Sequence, residues 1–454
     1  MRRKKSSSKI IILIFFILIV GGLAYVYNSS LFERVPPQIE LAKQIDWNLK
    51  QPIKLKIKDA SGIKFVRAVL SDTKNSIVLE KKVYENPQKE VNLDITFPRT
   101  GFLGNKKAFQ LSIEAVDASK WNFFAGNKSV KASLIHVDTK KPELYTINNS
   151  YKIIKGGAAA VVFKAEDENM ESLYIQTNFG KRFFPTPFYK KGYYVSLLAW
   201  PCDEDSFSAK IIVTDKAGNV SKERVRFYLK NKRYKVSKIT LKDSFLDGKI
   251  ADLTSEFAAN PNSMSKLEKF KFINEDERRK NENKIEEVTS KVPTKLISDF
   301  KISPFYPLRN AAAVASFGDH RFYRYNGSEV SQSLHLGLDL ASVAGAKIRS
   351  SNSGVVVFAH ENGIYGNNMI ISHGLGVYSL YGHCSEFLVN PGENVQKNQA
   401  IAKTGKTGLA LGDHLHFGIL VQGIEVRPEE WMDPNWLKDN IFSVLQASKK
   451  IIDR

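Results

Sequence analysis

A chain of 454 residues, 43% hydrophobic and 25% charged, has material for about three folded domains and excludes a wholly disordered or low-complexity protein. Its formal net charge of +20 points to an anionic partner, whether nucleic acid, a phospholipid surface or a carboxylate-rich polymer. Two cysteines, Cys202 and Cys384, fall in different expected domains and imply no disulfide framework.

The N-terminus chooses among these partners. Met1-Arg2-Arg3-Lys4-Lys5 is a basic cluster, and the uncharged run from Ile10 to Phe32 has an almost wholly apolar core, Ile10 to Tyr27. Eighteen or more such residues cross a bilayer as a helix, and basic residues ahead of them hold that end in the cytoplasm. The rival, a cleaved signal peptide, has a shorter apolar core and needs a small-x-small site that is missing near Ala24. We expect a basic cytoplasmic tail over 1–9 and a single-pass anchor in the cytoplasmic (inner) membrane over 10–32. The body then lies on the periplasmic, extracytoplasmic side, where DNA and RNA are excluded as partners.

The expected fold class is mainly β. From Pro36 to about Asp138 apolar and polar residues alternate, as in Ile53-Lys54-Leu55-Lys56-Ile57, interrupted by turn clusters at Asp59-Ala60-Ser61-Gly62 and Pro98-Arg99-Thr100-Gly101. The pattern recurs after the linker Val137 to Pro142, and Ile113-Glu114-Ala115-Val116-Asp117-Ala118 has a counterpart in Ile212-Val213-Thr214-Asp215-Lys216-Ala217. Two tandem modules, 36–138 and 142–232, resemble bacterial immunoglobulin-like β-sandwiches. Their expected role is that of spacers, the sharper alternative being to bind glycan strands or a partner. Residues 237–300 read as a solvated helical connector, rich in Glu and Lys, with a capping box at Asn274-Glu275-Asp276-Glu277; the alternative is a lid over a groove of the C-terminal domain. From Ala311 short strands such as Gly354 to Phe358 are separated by Gly- and Asn-rich turns. Apolar Ile441, Phe442, Val444, Leu445, Ile451 and Ile452 mark a terminal amphipathic helix over 441–454.

Seven of the eight histidines lie beyond residue 319. His414-Leu415-His416 on a strand sends both imidazoles to one face and leaves Leu415 and Phe417 for apolar packing. His335 and Asp339 stand four apart in an alternating stretch, with Gly337 between them leaving room for an ion. His335, Asp339 and one of the later pair would give three ligands and an open fourth position, the arrangement of catalytic zinc; parity alone does not choose between His414 and His416.

His335-x-x-x-Asp339, Tyr381-Gly382-His383 and His414-Leu415-His416 together resemble the lysostaphin-like, LytM-type zinc endopeptidases of peptidoglycan. The resemblance runs from about Pro304 to Pro428. It takes in the approach segment Ser316-Phe317-Gly318-Asp319-His320-Arg321, the hairpin Asn368 to His383 and the glycine-rich stretch Thr404 to His416. It implies an antiparallel catalytic domain over 304–440, Zn2+ held by His335, Asp339 and His416, and water activated on the metal. His383 and His414 would then act beside it as acid-base and oxyanion-stabilising groups. His373 reads as a strand-end residue, His320 and His360 as surface or packing residues, Cys384 as a packed thiol, and Tyr381 as either groove-lining or core. The implied substrates are peptidoglycan stem peptides and cross-links, cut in wall remodelling and shape control, and the modules 36–138 and 142–232 would then offer surfaces to cell-wall synthesis or division partners. A catalytically dead member that activates a cell-wall amidase is the alternative, and the presence of all five site residues argues against it. A cupin site also uses His-x-His, but wants a glutamate where Leu420 and Val421 stand.

Overall fold

Strand-forming alternation carries through most of the chain, and the computed structural model, which describes residues 7–97 and 107–454, is mainly β. The basic cluster Met1–Lys5 and the expected turn Pro98–Gly101 lie outside the described residues. The chain divides between Lys141 and Pro142 into two compact units, with 169–171 and 214–220 grouped with the first.

In the first unit α1 (Ser7–Asn28) is long and apolar enough to cross a membrane, and none of its residues from Lys9 to Asn28 is buried. A six-stranded sheet follows, built on β1 (Ile53–Ser71), β2 (Ser76–Ile95), β3 (Ala108–Asp117) and β4 (Lys128–Val137). Alternate residues of β1 and β3, among them Leu55, Ile57, Val66, Leu70, Leu111 and Ile113, form its core. Asp59–Gly62 does not end a strand as expected. Asp59 Oδ1 accepts from the N–H groups of Ser61 and Gly62, so the four residues make an irregularity inside β1, where the register of its pairing with β2 shifts.

The second unit opens with β5 (Glu143–Asn149), β6 (Ala158–Glu166), β7 (Met170–Thr177), β8 (Tyr193–Ala199), β9 (Ala209–Asp215) and β10 (Val220–Val225), which with the two-residue strands Arg182–Phe183 and Thr186–Pro187 make two four-stranded sheets. The run Ala158 to Phe163 in β6 is buried without alternation, which demands cover on both faces. The C-terminal segment supplies part of that cover. Ala158 N–H donates to Glu430 Oε2 (3.0 Å), and Ser150 Oγ donates to the Asn440 carbonyl (2.8 Å). Gln422 Nε2 donates to the carbonyls of Phe184 and Leu197 (3.0 and 3.3 Å). Residues 142–232 are therefore packed onto the C-terminal region and are no detached spacer.

The helical stretch is a second correction. After β11 (Val236–Thr240) come α2 (Ala251–Phe257), α3 (Lys266–Lys271) and α4 (Arg278–Thr289), joined by wider π-type turns at Leu246–Ile250 and Phe272–Glu277. Leu246, Ile250, Leu253, Phe270, Ile273 and Ile285 are buried in one cluster with Tyr323, Tyr365, Ile370, Leu380 and Leu420. A charged composition thus conceals a wall of the core, not a solvated connector. The capping box sits at Ser265 and Glu268, where both reciprocal bonds form. Asn274 lies inside the second π-type turn, and its amide donates across to Ser331 Oγ and the Gln332 carbonyl instead.

The last part contains β12 (Ala312–Ala315), β13 (Asp319–Tyr325), β14 (Ser328–His335), β15 (Leu338–Ala341), β16 (Gly354–Glu361), β17 (Asn367–Ser372), β18 (Val377–Cys384), β19 (Leu415–Val421), β20 (Ile424–Val426) and α5 (Ser443–Ile452). An antiparallel sheet runs β12-β15-β19-β18-β17-β16 and ends on Asn394–Val395, with β20 pairing β19. A separate three-stranded sheet, β11-β13-β14, delivers His335 from its last strand, with β11 parallel to β13.

Phe270 is 1% exposed and meets Tyr323 edge-on at 5.1 Å between ring centroids. Phe270→Ala is expected to destabilise the second unit by about 3–5 kcal/mol, measured by denaturant unfolding, whereas a free connector would show almost no change.

Candidate metal centre

Strand register brings the site together. Asp339 on β15 pairs directly with His416 on β19, and His416 pairs on its other side with Gly382 on β18. Directly opposed residues of antiparallel strands share a face, so Asp339, His416 and the bare Gly382 form one row. The alternate row, Leu338, Phe417 and Tyr381, points into the core.

His335 and Asp339 do not share one strand as the spacing suggested. β14 ends at His335 and β15 begins at Leu338, in a different sheet, with Leu336 and Gly337 making the crossing. A Cβ on Gly337 would stand 2.6 Å from His416 Cε1, so the close passage requires glycine. Nor does Tyr381 share a face with His383. His383 has φ 61°, which breaks the alternation and turns its ring to the face of His416, while Tyr381 stays wholly buried against Phe417. A left-handed histidine is uncommon and costs about 1 kcal/mol or more, a strain consistent with a positional demand.

His335 Nε2 lies 2.9 Å from Asp339 Oδ1 and 3.2 Å from His416 Nδ1, which is itself 3.0 Å from Asp339 Oδ1. All three side chains are largely buried. His335 Nδ1 faces the Ser316 carbonyl at 2.9 Å, and a carbonyl only accepts, so Nδ1 carries the proton and Nε2 of the neutral ring is bare. Two acceptors at 2.9 Å then need a proton or a cation between them. Burial pushes the Asp339 carboxyl up, but a proton shared with the imidazoles of His335 and His416 outweighs burial and holds the group well below the usual carboxylate range. Tetrahedral zinc with donors at about 2 Å sets neighbouring donors about 3.3 Å apart, so the donor set and its spacing fit such an ion.

His383 and His414 flank this cluster, with ring centroids 4.8 Å apart and His383 5.8 Å from His416. His383 Nδ1 donates to the Thr407 carbonyl at 2.8 Å and His414 Nδ1 to the Gly412 carbonyl at 2.9 Å. His414 Nε2 stands 3.7 Å from Asp339 Oδ1. Burial, then the neighbouring rings of His416 and His414, lower the His383 pKa to about 3, so it is neutral at pH 7 with a bare Nε2.

The cluster lies in a groove of about 640 Å³. Beyond the five predicted residues the groove is lined by Tyr365, whose ring is 5.5 Å from His416, and by Lys242, Arg278 and Arg321. Sequence reasoning missed Arg278. Asn274 holds it through its carbonyl and Oδ1, each at 3.1 Å, an arrangement that depends on the fold alone. It also missed the three orienting carbonyls, which belong to the backbone and leave no mark in residue type. Among the other histidines, His320 bonds Gln332 and His373 closes the turn after β17. Cys202 and Cys384 are both free and buried, and burial raises the Cys384 thiol to about 12.

Residues 333–428 match the model of Peptidase family M23. The C-terminal segment is an M23 peptidase domain. Over 95 residues it is 40% identical to the DD-carboxypeptidase/endopeptidase Mpg of Neisseria meningitidis, which is 21% of this chain and 22% of that protein. Over 116 residues it is 37% identical to the peptidoglycan DD-endopeptidase ShyA of Vibrio cholerae, 26% of this chain and 25% of that one. The aligned stretch is thus about a quarter or less of these relatives' length. A putative M23 peptidase structure from Pseudomonas aeruginosa aligns over 62% of this chain and 95% of its own, at 19% identity and a TM-score of 0.39.

His373 Nδ1 donates to the Ser353 carbonyl, and burial lowers its pKa to about 4. The unfolded histidine titrates near 6.5 and so binds more protons between the two values; this contribution to stability is complete above about 6.5 and is lost as pH falls towards 4. The melting temperature is expected to fall less steeply from pH 6.5 to 4 in His373→Gln than in the unaltered protein, as followed by circular dichroism.

Proposed function

We propose that this chain is a membrane-anchored, zinc-dependent endopeptidase that hydrolyses peptide cross-links of peptidoglycan during wall remodelling. The observation that carries it is the buried His335–Asp339–His416 cluster opening into a groove beside His383 and His414. The M23 domain and its DD-endopeptidase relatives support the substrate class, and α1, exposed and preceded by basic residues, supports the anchor.

His335 Nε2, Asp339 Oδ1 and His416 Nδ1 are the proposed ligands. A bound Zn2+ supplies Lewis acidity at the scissile carbonyl and lowers the pKa of an attacking water. His383, neutral with a bare Nε2, takes the proton from that water and passes it to the departing amine nitrogen as the C–N bond breaks. His414 stands where it can bond the oxygen that gains charge at the attacked carbon. Lys242, Arg278 and Arg321 give the groove a cationic wall suited to a peptide bearing free carboxylates, with Arg278 pre-set by Asn274 for that contact.

Digestion of purified cross-linked muropeptides by the full chain, read by mass spectrometry, should convert dimers to monomers through one peptide bond. Protein that holds zinc yet cuts no bond would favour the amidase-activator alternative. Alanine at His335, Asp339 or His416 should lower zinc content together with turnover. His383→Ala should keep about one zinc per chain and lose roughly 10²- to 10⁴-fold in rate. Gly337→Ala, which removes no donor, should weaken zinc retention by displacing the His416 ring. A His383→Ala protein without metal, or with full rate, overturns these roles.

Arg278→Ala is expected to raise KM by about tenfold or more with little change in kcat, and to leave zinc content intact. An unchanged KM would remove Arg278 from substrate recognition.

A further inference from the structure

The loop after β3 is organised in a way that the M23 domain does not account for. Asn122, Phe123 and Phe124 have φ values of 51°, 54° and 68°, three successive left-handed residues without a glycine. Phe123 is 100% exposed and Phe124 70% exposed. Left-handed backbone is unfavourable for L-residues by roughly 1–2 kcal/mol each, and full exposure of two phenylalanines returns none of it in water.

The loop is nevertheless held firmly. Lys64 Nζ donates to the Ala125 carbonyl at 2.7 Å, and Asn122 Nδ2 to the Gly126 carbonyl at 3.2 Å. Asp117 Oδ1 accepts from the N–H groups of Ser119 and Asn127.

It is also tied to the exit of α1. Lys120 N–H donates to the Leu31 carbonyl at 2.7 Å, Ser119 Oγ to the Glu33 carbonyl at 2.6 Å, and Asn127 Nδ2 to the same carbonyl at 2.8 Å. The Arg34 guanidinium lies over Tyr27 at 4.4 Å and over Trp121 at 4.5 Å, joining the last turn of the helix to the first residue of the aromatic run. Lys9–Asn28 is 20 residues, about 30 Å of helix and the thickness of a hydrocarbon core, so Tyr25 and Tyr27 fall at the outer lipid–water boundary if the helix spans.

We infer that the Trp121–Phe124 loop is a membrane-interface element that inserts its aromatic side chains into the outer leaflet beside the end of α1. The inference rests on the proposed anchor. At that depth Trp121 belongs to the aromatic belt, Phe123 and Phe124 leave water, and Arg34, Lys64 and Lys120 meet anionic head groups. The first unit is then held by two points and cannot swing freely about the helix exit.

The test uses the full chain reconstituted in phosphatidylethanolamine–phosphatidylglycerol vesicles. Phe123→Cys carries an environment-sensitive fluorophore, and the buried native thiols of Cys202 and Cys384 do not compete. Lys74→Cys, in the turn at the far end of β1 and roughly 25 Å away by strand rise, is the control. Lipid with a nitroxide near the head group should quench the label at position 123 by at least about twofold and leave that at 74 unchanged. Brominated lipid should likewise quench Trp121 in the otherwise unaltered chain, since Trp47, Trp200, Trp431 and Trp436 are buried, and Trp121→Phe should abolish the effect.

Protein that floats with vesicles while position 123 stays unquenched overturns the loop and leaves the anchor standing. A label shielded from aqueous iodide but untouched by the lipid nitroxide also overturns it, and assigns the loop to a protein contact. Protein that fails to float removes the anchor and the loop inference with it.

Discussion

A bare imidazole nitrogen of His335 and a carboxylate oxygen of Asp339 face each other across 2.9 Å in a buried site, and two acceptors so placed repel unless a positive charge joins them. Much of the C-terminal fold holds that unfavourable pair in place. Ser316 fixes the tautomer of His335 from the approach segment, and direct strand pairing sets Asp339 beside His416. Glycine at 337 and 382 leaves the space into which the His416 ring fits. The left-handed backbone at His383 then adds a fourth imidazole to a face that regular alternation would have denied it.

The groove around this cluster is not the property of the M23 domain alone. Phe270 and Arg278 come from the helical stretch, and Ile239 to Lys242 come from around the edge strand β11. Asn274 couples the two parts, bonding β14 through its amide and Arg278 through its oxygens. A wall built this way can vary without disturbing the His335, Asp339 and His416 cluster, because its residues are free of the register that fixes His416 and Asp339. Residues 142–232 extend the same unit, and the buried Glu430 and Gln422 are shared polar contacts that make its packing specific.

The first unit follows another logic. Its sheet has its own core, and its polar latch holds the backbone just after α1, where residues 31–34 meet 117–127. Such a latch fixes direction where the long apolar helix and the sheet that follows it would otherwise join through a flexible hinge. Exposed aromatics at that place are a liability for a protein wholly in water and a fitting feature at a lipid boundary.

The linear chain determined those features that depend on residue type at short spacing. The apolar run of α1, the alternation of β1 and β3, and the grouping of His335, Asp339, His383, His414 and His416 were legible, because period-two patterning and the donor chemistry of histidine and aspartate are written in side chains. Only the tertiary structure decided which residues meet. His335 and Asp339 prove to lie on different strands, and Tyr381 and His383 on different faces, because a crossing at Gly337 and one positive φ override local parity. The charged helices proved to be a core wall because a few buried apolar residues outweigh many solvated ones in deciding where a helix packs. Ser316, Thr407 and Gly412 act through carbonyls that every residue possesses, so their part in orienting the histidines could come only from the fold.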